Sequence, residues 1–489
     1  MPDSVSGSPT TPRSVRWAML GVMLAMLLSM LDNNIVGTSM PTIVRDLGGA
    51  SHLSWVVIAY TLTTAVSTPV WGKLGDLYSR KRVFLISIGV FLAGSVLSGA
   101  AQDMGQLIGF RVVQGLGAGG LGGLAFALIG SLVPPRERGR YQGMTAAVMA
   151  LGTIGGPLVG GLVTGHLGWR WAFYLNLPLG LVALAWCVLM LPADRPADRA
   201  KVRIDWAGIA LLTLTISSVV LATSWGGVQY PWASWQVTGL LAVAVAGLGA
   251  FLAVQRRAAE PVLPLRVFAH RNFGLASVMM FALGVVMFGA ALYLPLFQQT
   301  VQHTSVTDSG LLLVPLMAPV VVVSQIGGRV MSRTGRYKIF PVLGGVCLVL
   351  GTALLSTMDQ GTSAVTAAVY MVITGTGMGF FTQMTTTIAQ NSVELKDLGV
   401  ASSGTNLFRT LGASVGLAAF GMLFNRATAQ GTTPASVASG THQIFLLASV
   451  VSALALIAAL AVREVPLRGP SRVPAPAAAP SPVRSSPRP

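Results

Sequence analysis

Charged residues make up only 10% of this 489-residue chain, against about a quarter in soluble globular proteins. That shortage excludes a soluble enzyme. Cysteine is nearly absent: Cys187 and Cys347 stand far apart, each inside an apolar run. Two free buried thiols are expected, with neither a disulfide framework nor redox chemistry. The five histidines, His52, His166, His270, His303 and His442, fall in expected loops or at span ends and give no support to a histidine proton relay. Metal-ligand spacings, phosphate-binding glycine loops and nucleophile constellations are also missing. No metal, cofactor or catalytic activity is expected.

What is present is apolar length. Hydrophobic residues reach 53%, mean hydropathy is +0.69, and runs of about 20 apolar residues recur, each able to cross a bilayer core as a helix. Fourteen spans are expected, starting near Trp17, Ser54, Val83, Leu107, Tyr141, Trp171, Trp206, Trp235, Gly274, Ser309, Ile339, Ser363, Ser402 and His442. With that count both termini share a side, and 27 of the 32 lysines and arginines fall on it. Arg45, Arg170 and Arg426 lie opposite, while Arg111 and Arg409 lie within spans. The skew places both termini in the cytoplasm of a plasma-membrane protein. The formal charge of +17 is therefore a topology signal facing lipid headgroups, and nucleic acid is not an expected partner. No cleavage site follows the polar leader, residues 1–16, so the first span stays in the protein. Residues 465–489, rich in Pro, Ala, Ser and Arg, read as a disordered cytoplasmic tail.

An internal repeat divides the chain. GKLGDLYSRKR (residues 72–82) aligns without a gap on GRVMSRTGRYK (residues 328–338), which implies two halves built from one unit, as in secondary transporters. The copies lie too far apart for six spans, so two central spans are inserted. Residues 17–192 form one six-helix bundle, 193–273 a linker with two spans, and 274–464 the second bundle. The loop between the inserted spans carries Trp225, Tyr230, Trp232 and Trp235, as at an outer membrane interface.

Several polar residues stand where a span should be apolar. Asp32, in MLDNNIVGTSMP (residues 30–41), lies about 24 Å along its helix from Arg16. It is the only acid well inside a span. A carboxylate there either holds a proton or finds a partner, and Arg111, near the outer end of the fourth span, reaches a similar depth. A permanent pair and a titrating switch both fit. Arg409 is open to three readings: snorkelling, structural pairing or ligand binding. Gly152, Gly156 and Gly160 share one helix face that admits close packing, and Pro157 should kink that helix. Asn34, Asn176, Tyr293, Gln383 and Asn406, among 20 methionines, are candidates to line an adaptable pocket. Asp76 beside Arg80 and Lys81 is worth little as a surface pair, but matters if it docks on a helix end in one conformation only.

These stretches resemble the major facilitator superfamily, specifically its fourteen-span drug:proton antiporter branch. Leu31, Asp32, Asn34, Ile35, Val36 and Pro41 resemble its first-span signature. Gly72, Leu74, Asp76, Arg80 and Lys81 resemble its cytoplasmic loop motif, with Leu77 and Ser79 departing from it. Arg111, Gln114, Gly115 and Gly117 resemble the motif linked to proton transfer. Gly152, Gly156, Pro157, Gly160 and Gly161 resemble the exporter motif, and GWRWAFYLNLPLG (residues 168–180) follows as in that branch. The resemblance implies a major facilitator fold with a conformation-dependent charge network at Asp76. It also implies a monomer that uses the proton gradient to export hydrophobic, often cationic, small molecules. Asp32 and Arg111 would couple the proton, and Gln114 would join the pocket. An exporter of one metabolite or lipid, a proton-coupled importer and a non-transporting sensor are the alternatives.

Overall fold

A computed structural model describes residues 12–48, 53–133, 135–192, 205–227, 229–258, 260–302, 313–394, 397–429, 431 and 433–466. The leader as far as residue 11, the tail from residue 467, the basic segment 193–204 and the expected span start at Ser309 lie outside them. The described residues are helical, without strands beyond one isolated bridge between Gly226 and Tyr230.

The first half contains α1 (Pro12–Leu47), α2 (Leu53–Leu77), α3 (Arg80–Gly99), α4 (Met104–Leu132), α5 (Pro135–Leu167), α6 (Arg170–Tyr174) and α7 (Asn176–Met190). Two central helices follow, α8 (Trp206–Trp225) and α9 (Trp235–Gln255), then the short α10 (Leu265–Ala269). The second half contains α11 (Arg271–Thr300), α12 (Val314–Thr334), α13 (Ile339–Ser356), α14 (Ala364–Asn391), α15 (Leu398–Ala427) and α16 (Pro434–Ala461). Twelve of these segments, with α6 and α7 joined, are long and apolar enough to cross a membrane among the described residues. Fourteen were expected. The other two long helices, α2 and α5, stand outside that twelve.

Helix starts follow capping chemistry more closely than hydropathy. Helix α16 begins eight residues before His442 because Thr433 and Ser436 form a reciprocal capping box with Pro434 at the first turn. Ser79 caps α3, its hydroxyl accepting from the Arg82 amide. At the matching place in the second repeat, Gly335 ends α12 at φ +71°, a conformation glycine adopts without strain. One family departure, serine for glycine, thus serves a different helix end.

Each half has its own apolar core. The halves meet where α2 and α4 pack on α15, and where α5 packs on α12 and α14. Helices α8 and α9 pair with each other, and α8 also touches α2 and α15, forming an apolar cluster with Ala65, Leu212, Ile216, Val400 and Leu407. Cys187 is buried as expected, while Cys347 is only half-buried, because its helix face looks outward beside exposed Leu343 and Val346.

Candidate functional site: a buried carboxylate and an inter-bundle latch

Asp32 is fully buried in the first bundle, with its side chain at 0% exposure and that of Arg111 at 1%. Arg111 Nη1 donates to Asp32 Oδ2 at 2.7 Å and to Gln114 Oε1 at 2.7 Å. Asp32 Oδ1 accepts from Gln114 Nε2 at 2.8 Å and Asn176 Nδ2 at 2.6 Å. The Ser95 hydroxyl accepts from both amides, at 3.0 and 2.7 Å, and donates to the Phe173 carbonyl at 3.0 Å. Four helices, α1, α3, α4 and α7, thereby converge on one carboxyl group. The Arg111 guanidinium lies 4.0 Å above the Tyr60 ring, a cation–π contact that covers the face not used by Asp32. Snorkelling of Arg111 does not occur.

Every polar partner here suits an ionised carboxylate: three donors address its two oxygens. Of its roughly four acceptor sites, one on Oδ2 is left open by these three donors. Removing either charge of such a buried pair costs roughly 3–5 kcal/mol.

A second carboxylate joins the bundles at the end rich in Lys and Arg. Asp76 is paired with Arg80 at 2.7 Å, its side chain 5% exposed. Its two oxygens also accept from the backbone amides of Gly399 and Val400, both at 2.9 Å. These are free N–H groups in the first turn of α15, where an anion is favoured. A Cβ on Gly72 would lie 2.7 Å from that of Ser403 and 2.8 Å from the Gly399 carbonyl, so the bundles touch backbone to backbone. Lys81 donates to the last carbonyls of α7, Val188 and Leu191. Lys73–Glu260 and Arg266–Asp397 add ion pairs at 2.8 and 3.1 Å. This end of the molecule is closed.

Helix α5 lies on α1 along the glycine face. A Cβ on Gly152 would fall 2.6 Å from Met30 Cβ, and one on Gly160 would fall 3.0 Å from Ile35 Cα. Gly156 is tighter against Asn34 Cβ, and Gly160 equally tight against the Thr38 hydroxyl. Gly161 faces open space, and the side chain of Pro157 lies outside the described residues.

The expected pocket residues separate. Gln114 and Asn176 hold Asp32. Asn34 donates to the Met30 and Gly152 carbonyls, at 2.8 and 3.4 Å, across the α1–α5 contact. Tyr293 packs edge-on to Phe420 and beside Phe424, and Gln383 is buried within the second bundle. Asn406 alone of the six lines the cavity of about 20 Å³ between the bundles, with Arg409 beside it. Ser95 and Tyr60 were missed by sequence reasoning. No charge or motif marks them, and only helix packing brings them to Asp32.

The description "Major Facilitator Superfamily" matches residues 22–417. An uncharacterized MFS-type transporter of Mycobacterium tuberculosis is 38% identical over 477 residues, covering 91% of this chain and 69% of that one. The multidrug transporter protein MdtP of Bacillus subtilis is 36% identical, covering 83% and 74%. Multidrug resistance protein 3 of the same organism is 36% identical, covering 83% and 79%. The crystal structure of the human organic anion transporter MFSD10 (TETRAN) shares the fold with a TM-score of 0.65 at 13% identity, covering 91% of this chain and all of that one. The chain belongs to the major facilitator superfamily: it is a multi-pass, all-helical membrane transporter.

Proposed function

We propose that this protein is a proton-coupled exporter of hydrophobic, often cationic, small molecules, acting as a monomer in the plasma membrane by alternating access. In this reading α2 and α5 also span the bilayer, giving fourteen spans as six, two and six, with both termini cytoplasmic. The resemblance of the α5 glycines to an exporter motif and the relatives named as multidrug transporters support the direction and substrate class.

One observation carries the coupling: the one carboxylate buried mid-helix among the described residues is held by a cation and two amides that all favour its ionised form. When the cavity admits water and Arg111 shifts, Asp32 takes a proton; when the cavity turns to the other side, Arg111 returns and the proton leaves. The Asp76 latch on α15 holds the cytoplasmic end shut in the outward-facing state and releases in the inward-facing one. One proton exchanged for one monovalent cation moves no net charge, so the membrane potential, worth about 2.3 kcal/mol per charge per 100 mV, does no work. Each unit of ΔpH supplies about 1.4 kcal/mol.

Ethidium efflux from proteoliposomes tests this. Flux should follow ΔpH, ignore voltage and vanish in Asp32→Asn; undiminished flux in that variant would remove Asp32 from the mechanism.

A further inference from the structure

Arg409 is a part-buried charge within a span that the coupling scheme leaves over. It lies on α15, about 17 Å along the helix from Leu398 at 1.5 Å per residue, and it lines the cavity between the two bundles. Its guanidinium bonds the Asn406 side-chain oxygen through Nη2 at 2.6 Å and Nε at 3.3 Å. Among the described residues no carboxylate pairs with it, whereas Lys73, Arg80, Arg111 and Arg266 each have one. A guanidinium has five N–H donors, and one amide oxygen leaves most of them unused. The surrounding cavity wall, including Met149, Met280, Met287 and Thr386, holds no acid that would supply the missing acceptor.

An unpaired cation inside a membrane protein is costly and marks a ligand path. Asp32 and Arg111 neutralise each other, so the central cavity carries an uncompensated positive charge. Asn406 holds the guanidinium from one edge and leaves the rest of its fork toward the cavity. That fork matches a carboxylate in geometry as well as charge, while the methionines adapt to varied apolar bodies. At about 20 Å³ the cavity holds little more than a water in this closed form, so a ligand enters as the bundles part.

We infer that Arg409 selects substrates bearing a carboxylate, zwitterions included, and that this group docks on its guanidinium in the inter-bundle cavity. The inference rests on the efflux reading for its biological setting and narrows the substrate class: a purely cationic compound gains nothing from this residue.

Binding of a fluorescent lipophilic coumarin carboxylate and of its ethyl ester to the purified full-length protein tests it. Wild type should bind the carboxylate about 10- to 100-fold more tightly than the ester, the range for charge-assisted hydrogen bonds. Arg409→Gln should bring that ratio to about one, and Arg409→Lys should restore part of it. Because Arg409→Gln can also disturb folding, Thr405→Asp provides an independent variant. It places a carboxylate one turn before Arg409, as Asp76 stands to Arg80, and should abolish the preference for the acid by occupying the guanidinium. A ratio near one in wild type, or one unchanged in both Arg409→Gln and Thr405→Asp, overturns the inference. Displacement of the probe by equimolar phosphatidylglycerol also overturns it, by assigning the site to a lipid headgroup. Asp32→Asn separates the two readings: proton-driven flux is lost while the binding ratio persists. A wild type that shows the ratio but no proton-driven flux would contradict the efflux reading alone.

Discussion

The two bundles share a repeat, yet they bury charge in opposite ways. The first encloses an acid with its cation, two amides and a hydroxyl, all within hydrogen-bonding distance. The second encloses Arg409 with one asparagine. The repeated loops differ similarly. The first copy sends Asp76 across to the opposite bundle. In the second, Arg329, Arg333 and Arg336 are exposed and, among the described residues, form no ion pair. A neutralised carboxylate held by three donors is suited to a proton that changes its partners, whereas an unsaturated cation is suited to a ligand that completes it. The division of labour proposed here, coupling in one half and recognition in the other, follows from that asymmetry.

The largest expected effect comes from breaking the first half. Arg111→Leu leaves Asp32 buried without its cation, at a cost of about 3–5 kcal/mol, and proteoliposome efflux should fall to the protein-free background. Retained efflux would shift the burden of holding Asp32 onto Gln114 and Asn176.

Next is the latch. Asp76→Ala removes two amide contacts and an ion pair, together on the order of 1–3 kcal/mol, enough to shift a two-state equilibrium several-fold or more. With Cys187 and Cys347 replaced by alanine, maleimide labelling of Ser403→Cys should accelerate by that factor in Asp76→Ala. Equal labelling would show that the tight approach of Gly72 alone holds the end shut. Ser79→Gly, which removes only a cap, should leave labelling unchanged.

The glycine face offers a smaller, internally controlled effect. Gly156→Ala meets Asn34 and should lower thermal stability by roughly 1–3 kcal/mol through overpacking. Gly161→Ala, facing open space, should stay within about 0.5 kcal/mol of wild type. Similar losses from both would mean that the motif acts on the backbone and not through the α1–α5 contact.

The smallest effect belongs to Lys73–Glu260, where Glu260 is 44% exposed. Such a pair is worth about 0–1 kcal/mol and is screened by salt. Glu260→Gln should change the labelling rate at position 403 at most a few-fold at low ionic strength, and not at high salt.

Much of this arrangement is legible in the sequence because membrane helices announce themselves by length, and Asp32 and Arg111 by being charged where charge is expensive. The docking of Asp76 on a helix end was an option that the loop motif raised, and the amides of Gly399 and Val400 supply its other side. The uses of Gln114 and Asn176 were not legible: an amide in a span looks the same whether it faces a pocket or a carboxylate. Ser95 and Tyr60 are ordinary span residues until packing aims them. The start of α16 at Pro434 lay beyond the hydropathy boundary because a capping box, not apolarity, sets it.

Proton release on substrate binding tests the central claim most directly. Titrating ethidium into the purified protein in weakly buffered solution with a pH-indicating dye, at a pH where the outward-open carboxyl is protonated, should release close to one proton per bound molecule in wild type and none in Asp32→Asn. Equal release from both proteins would contradict a mechanism in which Asp32 carries the proton.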